Sequence, residues 1–307
     1  MRKGIWFAIG AYFLWGILPV YWKWLETVPA IQVIGHRIIW SFVLLAVILS
    51  VSRQWKAFRA AAMTRRVIFI YLLSAILLTI NWLTYVWAVE AGFIVETSLG
   101  YFINPLLSVL LGVVFLRERL RPWQYVPIGL ATIGVIYVAL SYGHFPWIAL
   151  TLAISFGLYG LVKKTAPLGS LYGLTLETGL AFLPALAYLS LMDRQGTGAF
   201  LHTTLSQNLL MIGTGVITTV PLLMFASAAQ TIPLSMVGIL QYIAPTLQFL
   251  LGVFVYREPF NLSLFIGFSF VWMALILFWG EGFWNSRKRK VSEAPEGPEV
   301  PEVPESL

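Results

Sequence analysis

The sequence predicts an all-α integral membrane protein of ten transmembrane helices, arranged as two inverted five-helix repeats. Three observations carry that expectation. Hydrophobic residues make up 59% of the chain and charged residues 11%, with a mean hydropathy of +0.83, whereas a soluble domain is roughly one quarter charged. The apolar residues fall into runs of about 20, the length that crosses a hydrocarbon layer ~30 Å thick. One run also occurs twice: LGYFINPLLSVLLGVVFLRE from Leu99 to Glu118 returns as ILQYIAPTLQFLLGVFVYRE from Ile239 to Glu258. At an offset of 140, the 16 positions from Ile103 to Glu118 agree at nine, namely Ile103, Pro105, Leu107, Leu110, Leu111, Gly112, Val113, Arg117 and Glu118. Duplication on this scale points to a unit copied once.

Taken in order, the first apolar run follows Arg2 and Lys3 and continues through Trp15, Pro19 and Trp22 without a small-residue cleavage site, so it is expected to be a retained first helix. Spans are expected at about 4–22, 30–51, 68–89, 95–116, 123–142, 146–162, 169–191, 208–229, 233–256 and 262–283, each bounded by charged or turn-forming residues. The first repeat then occupies 1–142 and the second 143–285. With an odd number of spans per repeat, the second copy must be upside down relative to the first. The stretch 286–307 opens with RKRK at 287–290 and continues as a Pro/Glu-rich tail with Glu293, Glu296, Glu299, Glu302 and Glu305 at every third residue. Such a composition cannot bury a core and is expected to be disordered, solvated and partly polyproline II.

Lys and Arg decide orientation. With the N-terminus inside, two precede the first span, five lie between Arg53 and Arg66, three are Arg117, Arg119 and Arg121, two are Lys163 and Lys164, and four run from Arg287 to Lys290. That places 16 inside, against Lys23, Arg194 and Arg257 outside and Arg37 within a span. The positive-inside rule therefore puts both termini in the cytoplasm of a cell inner or plasma membrane protein. The same loops account for the net charge of +7, so no nucleic-acid partner is needed.

Several chemistries lack their residues. The chain has no cysteine, and His36, His144 and His202 lie far apart with no ligand at helical spacing, so neither thiol chemistry nor a metal site is expected. GLYGLVKKT from Gly157 lacks the glycine directly before the lysine of a nucleotide-binding loop. The nucleophile-elbow pattern fails at Val271. No cofactor and no catalytic residue are expected.

Four segments, AYFLWGILPVYWKWL of the first span, HRIIWS of the second, ETSLGYFINPLLSVLLG with FLRERL, and LQYIAPTLQFLLGVF, together resemble the RarD subgroup of the EamA family in the drug/metabolite transporter superfamily. The resemblance covers nearly all of residues 1–285. It implies ten helices in two inverted halves, a central cavity, and secondary or facilitated transport of small organic molecules by alternating access. Because the subgroup is described as chloramphenicol-resistance permeases, drug- or metabolite-like compounds are the implied cargo and export the implied direction. From the residues alone, a membrane-embedded enzyme acting on a lipid-linked substrate stays open as the alternative, and a channel or scaffold as a third.

Candidate site residues follow from depth and spacing. Ser98, Tyr101, Pro105, Ser108 and Gly112 share one helical face, and at the 140 offset they become Gly238, Gln241, Pro245, Gln248 and Gly252. A stripe of this kind either lines a wet cavity or lets two helices approach closely. Tyr101, Asn104, Gln241 and Gln248 are too large for close approach and are candidates for the cavity wall, with Asn81, Trp82, Trp15 and Tyr21. Pro105 and Pro245, with Gly112 and Gly252, are candidate hinges, since each proline removes a mid-helix hydrogen bond. Arg37, beside His36, and Glu177 occupy equivalent positions in the two halves and reach similar depth, ~13 Å into a span at ~1.5 Å per residue. A direct Arg37–Glu177 pair is thus within reach, either as a static tie or as a proton-coupling or substrate site.

The basic-loop count makes a direct prediction about topology. Reporter fusions at Trp284 and at Gly143 should report cytoplasm and exterior respectively, and the opposite pair of signals would overturn both the orientation and the inverted repeat.

Overall fold

The computed structural model describes residues 2–91, 93–141, 145–257 and 262–292, apart from the side chains of 90, 94–96, 98, 264, 279 and 281–292. Each of the ten expected spans falls on helix. They are α1 (Arg2–Trp24), α2 (Ala30–Val51), α4 (Arg65–Glu90), α5 (Ile94–Phe115), α6 (Tyr125–Ser141), α7 (Trp147–Thr165), α8 (Ser170–Arg194), α9 (Leu205–Thr231), a ninth in two pieces, α10 (Leu234–Gln241) and α11 (Ile243–Leu250), and α12 (Leu262–Ser292). Among the described residues, eight helical stretches are each long and apolar enough to cross a bilayer, and Leu99–Phe115 and Phe265–Phe278 are shorter apolar helices. The protein is a multi-pass membrane protein, apolar on its surface as well as in its core: on α4, Phe69, Leu72, Leu73, Ile76, Ile80 and Leu83 form one exposed apolar stripe at helical spacing.

Two elements differ from expectation. The basic loop after α2 contains a further short helix, α3 (Trp55–Ala62), whose Phe58 and Ala62 are buried while Lys56 and Arg59 stay exposed. Phe58 meets Tyr172 of α8 edge to face at 5.7 Å, and the Trp55 indole N–H donates to Ser50 Oγ at 2.8 Å. α3 is therefore an amphipathic helix against the end of the bundle, with its apolar face inward. At the other end of the chain, α12 runs on through Arg287–Lys290 to Ser292, so the basic run belongs to the helix and not to the disordered segment expected from 286. Arginine and lysine are good helix formers, and cations at a helix C-terminus are favoured by its dipole. The Pro/Glu-rich run from 293, together with Gly143, His144 and Glu258, lies outside the described residues.

The ninth span breaks because Pro245 has no N–H for the Gln241 carbonyl, and the chain turns at Tyr242 between α10 and α11. Pro105, its sequence equivalent, lies within an unbroken α5. Beyond α11 the helix widens into a single π turn, Leu251–Val255, which contains Gly252.

The repeated Arg–Glu ending has a structural use at its first occurrence. Arg117 adopts a positive φ of 53°, which turns the chain back so that the Glu118 N–H reaches the Gly112 carbonyl at 3.0 Å. The Glu118 carboxylate then accepts from the backbone N–H of Leu234 at 2.6 Å and of Ser235 at 2.9 Å, and from the Ser235 hydroxyl at 2.6 Å. These are the free donors at the start of α10, where negative charge is favoured. Gly112 leaves room for this cap, because a Cβ there would stand 2.7 Å from Glu118 Oε2.

α5 and α10 cross where a Cβ on Gly238 would lie 2.6 Å from the Pro105 carbonyl oxygen and 2.9 Å from Ser108 Cβ. Only glycine permits that approach. Gly238→Ala should destabilise the folded protein by about 1–3 kcal/mol through overpacking, read as a lowered unfolding temperature in detergent. Gly129→Ala on exposed α6, where an added Cβ meets nothing within 4 Å, should cause no loss. Equal effects at the two positions would overturn the crossing argument.

Candidate functional site

The second halves of α1 and α4, the first halves of α5 and α7, Arg37 of α2, Leu222 of α9 and the α10–α11 break enclose a cavity of about 140 Å³. Local periodicity explains the wall. On α1, Tyr12, Trp15, Pro19 and Trp22 recur every three or four residues, and on α4 so do Leu78, Asn81, Trp82 and Tyr85. Tyr101 and Asn104 of α5, Phe156 of α7, and Gln241, Pro245 and Gln248 complete it.

The amides on this wall tie helices together. Asn81 Nδ2 donates to the Leu152 carbonyl at 2.9 Å and Ser155 Oγ at 3.1 Å, joining α4 to α7. Gln248 Nε2 donates to the Trp15 carbonyl at 3.1 Å. That carbonyl lost its helical partner because Pro19, four residues on, has no N–H. Asn104 and Gln241 are buried, and their side-chain oxygens have no hydrogen-bond partner.

Among the described residues Arg37 is the one charged residue on the cavity wall. Its Nε–H donates to Thr218 Oγ1 at 3.1 Å, and its guanidinium lies 4.0 Å from the Trp82 ring centroid and 4.9 Å from that of Trp22. Contacts of this kind are worth about 2 kcal/mol or more when desolvated.

The opposite half of the bundle is filled. Below the cavity, Trp15, Tyr12, Phe225, Phe156 and Tyr159 pack ring on ring at centroid distances of 5.3 to 6.3 Å. Beyond them Lys163 and Glu177, 1% and 2% exposed, form an ion pair. Ser74 Oγ donates to the same carboxylate oxygen at 2.9 Å, and the ammonium lies 5.2 Å from the ring centroids of both Tyr71 and Tyr159. Glu177 Oε1 and the Tyr159 hydroxyl have no partner. Lys164 Nζ donates to the Ile232 carbonyl at 2.6 Å, at the end of α9.

The structure thus brings Trp15, Arg37, Asn81, Tyr101, Asn104, Gln241, Gln248 and Pro245 to one cavity and leaves others elsewhere. Arg37 and Glu177 border a common void of about 20 Å³ but do not pair, because the carboxylate is already held by Lys163 and Ser74. Lys163, taken from the sequence as a loop charge, is the partner that the reading missed. It lies in the last turn of α7, and only the packing of α8 against its neighbours shows that it points inward. His36 packs on Phe200 at 5.1 Å, away from the cavity, and Tyr21 donates to the Leu210 carbonyl at 2.6 Å instead of joining the wall. Ser98 lies outside the described side chains. The shared stripe divides: Tyr101, Gln241, Pro245 and Gln248 line the cavity, whereas Ser108 and Gly238 form the close helix crossing. Tyr12, Tyr85 and Phe156 were missed, although the three-and-four spacing of Tyr12 with Trp15, Pro19 and Trp22 was visible. Among the described residues, no three His, Asp or Glu side chains are placed to hold a metal ion.

Fold and cavity define a polytopic membrane protein with a buried chamber, and comparison with known proteins sharpens the class. Residues 2–140 match the EamA-like transporter family. An uncharacterized transporter of Bacillus subtilis, YojE, is 48% identical over 90% of this chain and 93% of its own length. The protein RarD of Salmonella typhi is 44% identical over 94% of this chain and 98% of its own. A solved crystal structure at 16% identity has the same fold, with a TM-score of 0.66 over 90% of this chain and 96% of that one. The protein is a membrane transporter by class. The chain belongs to the EamA-like transporter family, within its RarD subgroup.

The buried ion pair makes a stability prediction. Lys163→Met should cost about 3–5 kcal/mol by stranding the carboxylate, and the double change Lys163→Met with Glu177→Leu should recover most of it. Thermal unfolding of the purified variants measures both. Additive losses would show that the two side chains do not depend on each other.

Proposed function

We propose that the protein moves small organic solutes by exposing the central cavity alternately to the two membrane faces, and that it acts as an exporter of metabolite- or drug-like compounds and not as an enzyme. The observation that carries this reading is the asymmetry of the bundle: a polar, aromatic chamber in one half, and dense aromatic packing with a buried ion pair in the other. A small solute in the chamber has a wall of amides and rings to hold it, and the packed half has to part for it to leave on the other side. With both termini cytoplasmic, the chamber belongs to the exterior half and the packed half is the inner gate.

The two halves are read as inverted repeats, 1–142 and 143–285. In support, exchanging α1, α2, α4, α5 and α6 for α7, α8, α9, α10–α11 and α12 maps the packing onto itself: α1 against α9 becomes α7 against α4, and α5 against α7 becomes α10–α11 against α1. The pairs α2–α8, α5–α10 and α6–α12 map to themselves. Arg257 also has the φ of 53° that Arg117 has, 140 residues earlier. Such symmetry gives an alternating-access protein its second state, in which the halves exchange conformations. Pro105 and Pro245 are the proposed hinges, with Gly112 and Gly252 beside them. The proton is the proposed coupling ion, carried by Glu177, whose second oxygen is unpartnered.

Because the chain has no cysteine, single cysteines report access without background. Leu18→Cys on the cavity wall and Ser227→Cys toward the packed end should be labelled by a membrane-impermeant thiol reagent from opposite sides of oriented vesicles. Their labelling rates should move in opposite directions when a transported solute is added. The solute is found by uptake from a labelled panel that includes chloramphenicol. Labelling of both from the same side, or solute-independent rates despite measured transport, would sink alternating access.

A further inference from the structure

We infer that the cavity takes a singly charged organic anion, a carboxylate on an aromatic or apolar body, and that the free edge of Arg37 receives it; this rests on reading the cavity as the solute path. Among the described residues the guanidinium has no counter-ion. Among the described side chains no Asp or Glu lines the cavity, and Arg37 is in no ion pair. Glu177, the one carboxylate near it, is engaged by Lys163 and Ser74. Nε–H is satisfied by Thr218, and that is the only hydrogen bond the guanidinium makes among the described residues. Arg37 nevertheless keeps accessible surface and is on the cavity wall.

The geometry selects the ligand's charge and shape. Trp82 and Trp22 lie within 5 Å of the guanidinium and hold it by ring contacts, while the terminal N–H donors have no acceptor among the described residues. Two parallel donors on a planar edge match a carboxylate. An uncompensated cation at this depth is costly. A monoanion cancels it, a neutral solute leaves it uncompensated, a second cation repels it, and a dianion replaces it with net negative charge. Lys163–Glu177 shows that this protein supplies a carboxylate from its own chain where a buried cation is to stay paired. At Arg37 the described residues supply none, and the place is left for a ligand. The rest of the wall, Trp15, Tyr85, Tyr101 and Phe156, offers aromatic surface to the ligand's body.

The test uses full-length protein in phosphatidylcholine vesicles at neutral pH, titrated with benzoate and 3-phenylpropionate, with the amides of each, and with phenyl phosphate. Tryptophan fluorescence reports binding, since Trp22 and Trp82 flank the site. The carboxylates should bind about tenfold tighter than their amides, the ratio a charge-assisted hydrogen-bonded contact provides, and tighter than the doubly charged phenyl phosphate. Arg37→Gln should abolish the preference for carboxylate over amide, and Arg37→Lys should retain part of it. Equal binding of carboxylate and amide by the unmodified protein, no binding of the carboxylates, tighter binding of phenyl phosphate, or a preference that survives Arg37→Gln would overturn the anion site. The comparison within the unmodified protein holds whether or not the variants fold. Flux of the same compounds is read in the same vesicles. Carboxylates that bind but do not move would uphold the anion site and overturn transport, whereas amides that move with no carboxylate preference would do the reverse.

Discussion

In hydrocarbon, a polar group without a partner has no water to turn to, and the structure is arranged around meeting that demand. Every proline placed inside a helix releases a carbonyl, and the consequences differ by site. At Pro19 the released Trp15 carbonyl is taken by Gln248 from another helix, so a local defect becomes a tie between α1 and α11. Ahead of Pro245 the helical hydrogen bonding is interrupted at Tyr242, and the interruption lies beside the cavity wall. At the start of α10 the free N–H groups are met by Glu118, a carboxylate carried 116 residues away in sequence. Polar satisfaction and helix docking are thus achieved by the same contacts.

Buried charge obeys the same demand in two ways. Lys163 is neutralised by Glu177 and flanked by tyrosine rings, in a region with almost no accessible surface. Arg37 is held by two tryptophan rings and one hydroxyl, beside open space. Burying an ion pair is rarely a net gain in stability, while leaving one partner alone is severe. The difference between the two cations therefore divides the bundle into a densely packed end and an end with open space. The aromatic cluster of Tyr12, Phe156, Tyr159 and Phe225 lies between them.

Close helix approach accounts for the remainder. Gly238 on the Pro105 carbonyl joins α5 to α10, and Gly134 on the Gly267 carbonyl, where a Cβ would stand 2.9 Å away, joins α6 to α12. Lipid gives no hydrophobic gain for pushing helices together, so contact at small residues has to supply it. The stripe of small and polar residues on α5 and α10–α11 serves both purposes in turn, packing toward one end and cavity toward the other.

The sequence by itself determined the membrane environment, the approximate places of the apolar helices, the local identity between the fourth and ninth spans and the family. These depend on hydrophobic run length and on local identity, which are properties of the chain read one residue after another. It also placed Arg37 at the depth of a site, because a charge inside an apolar run is conspicuous wherever the run lies. Only the tertiary structure decided which charges meet. Lys163 and Lys164 are adjacent in sequence, yet one pairs with Glu177 while the other binds a backbone carbonyl on α9. His36 and Arg37 are adjacent too, and successive positions on a helix point about 100° apart, so one faces Phe200 and the other the cavity. Depth along a span can be counted from sequence, but rotation about the helix axis is fixed by the neighbours packed against it. For that reason Arg37 and Glu177 reach the same void without forming a pair.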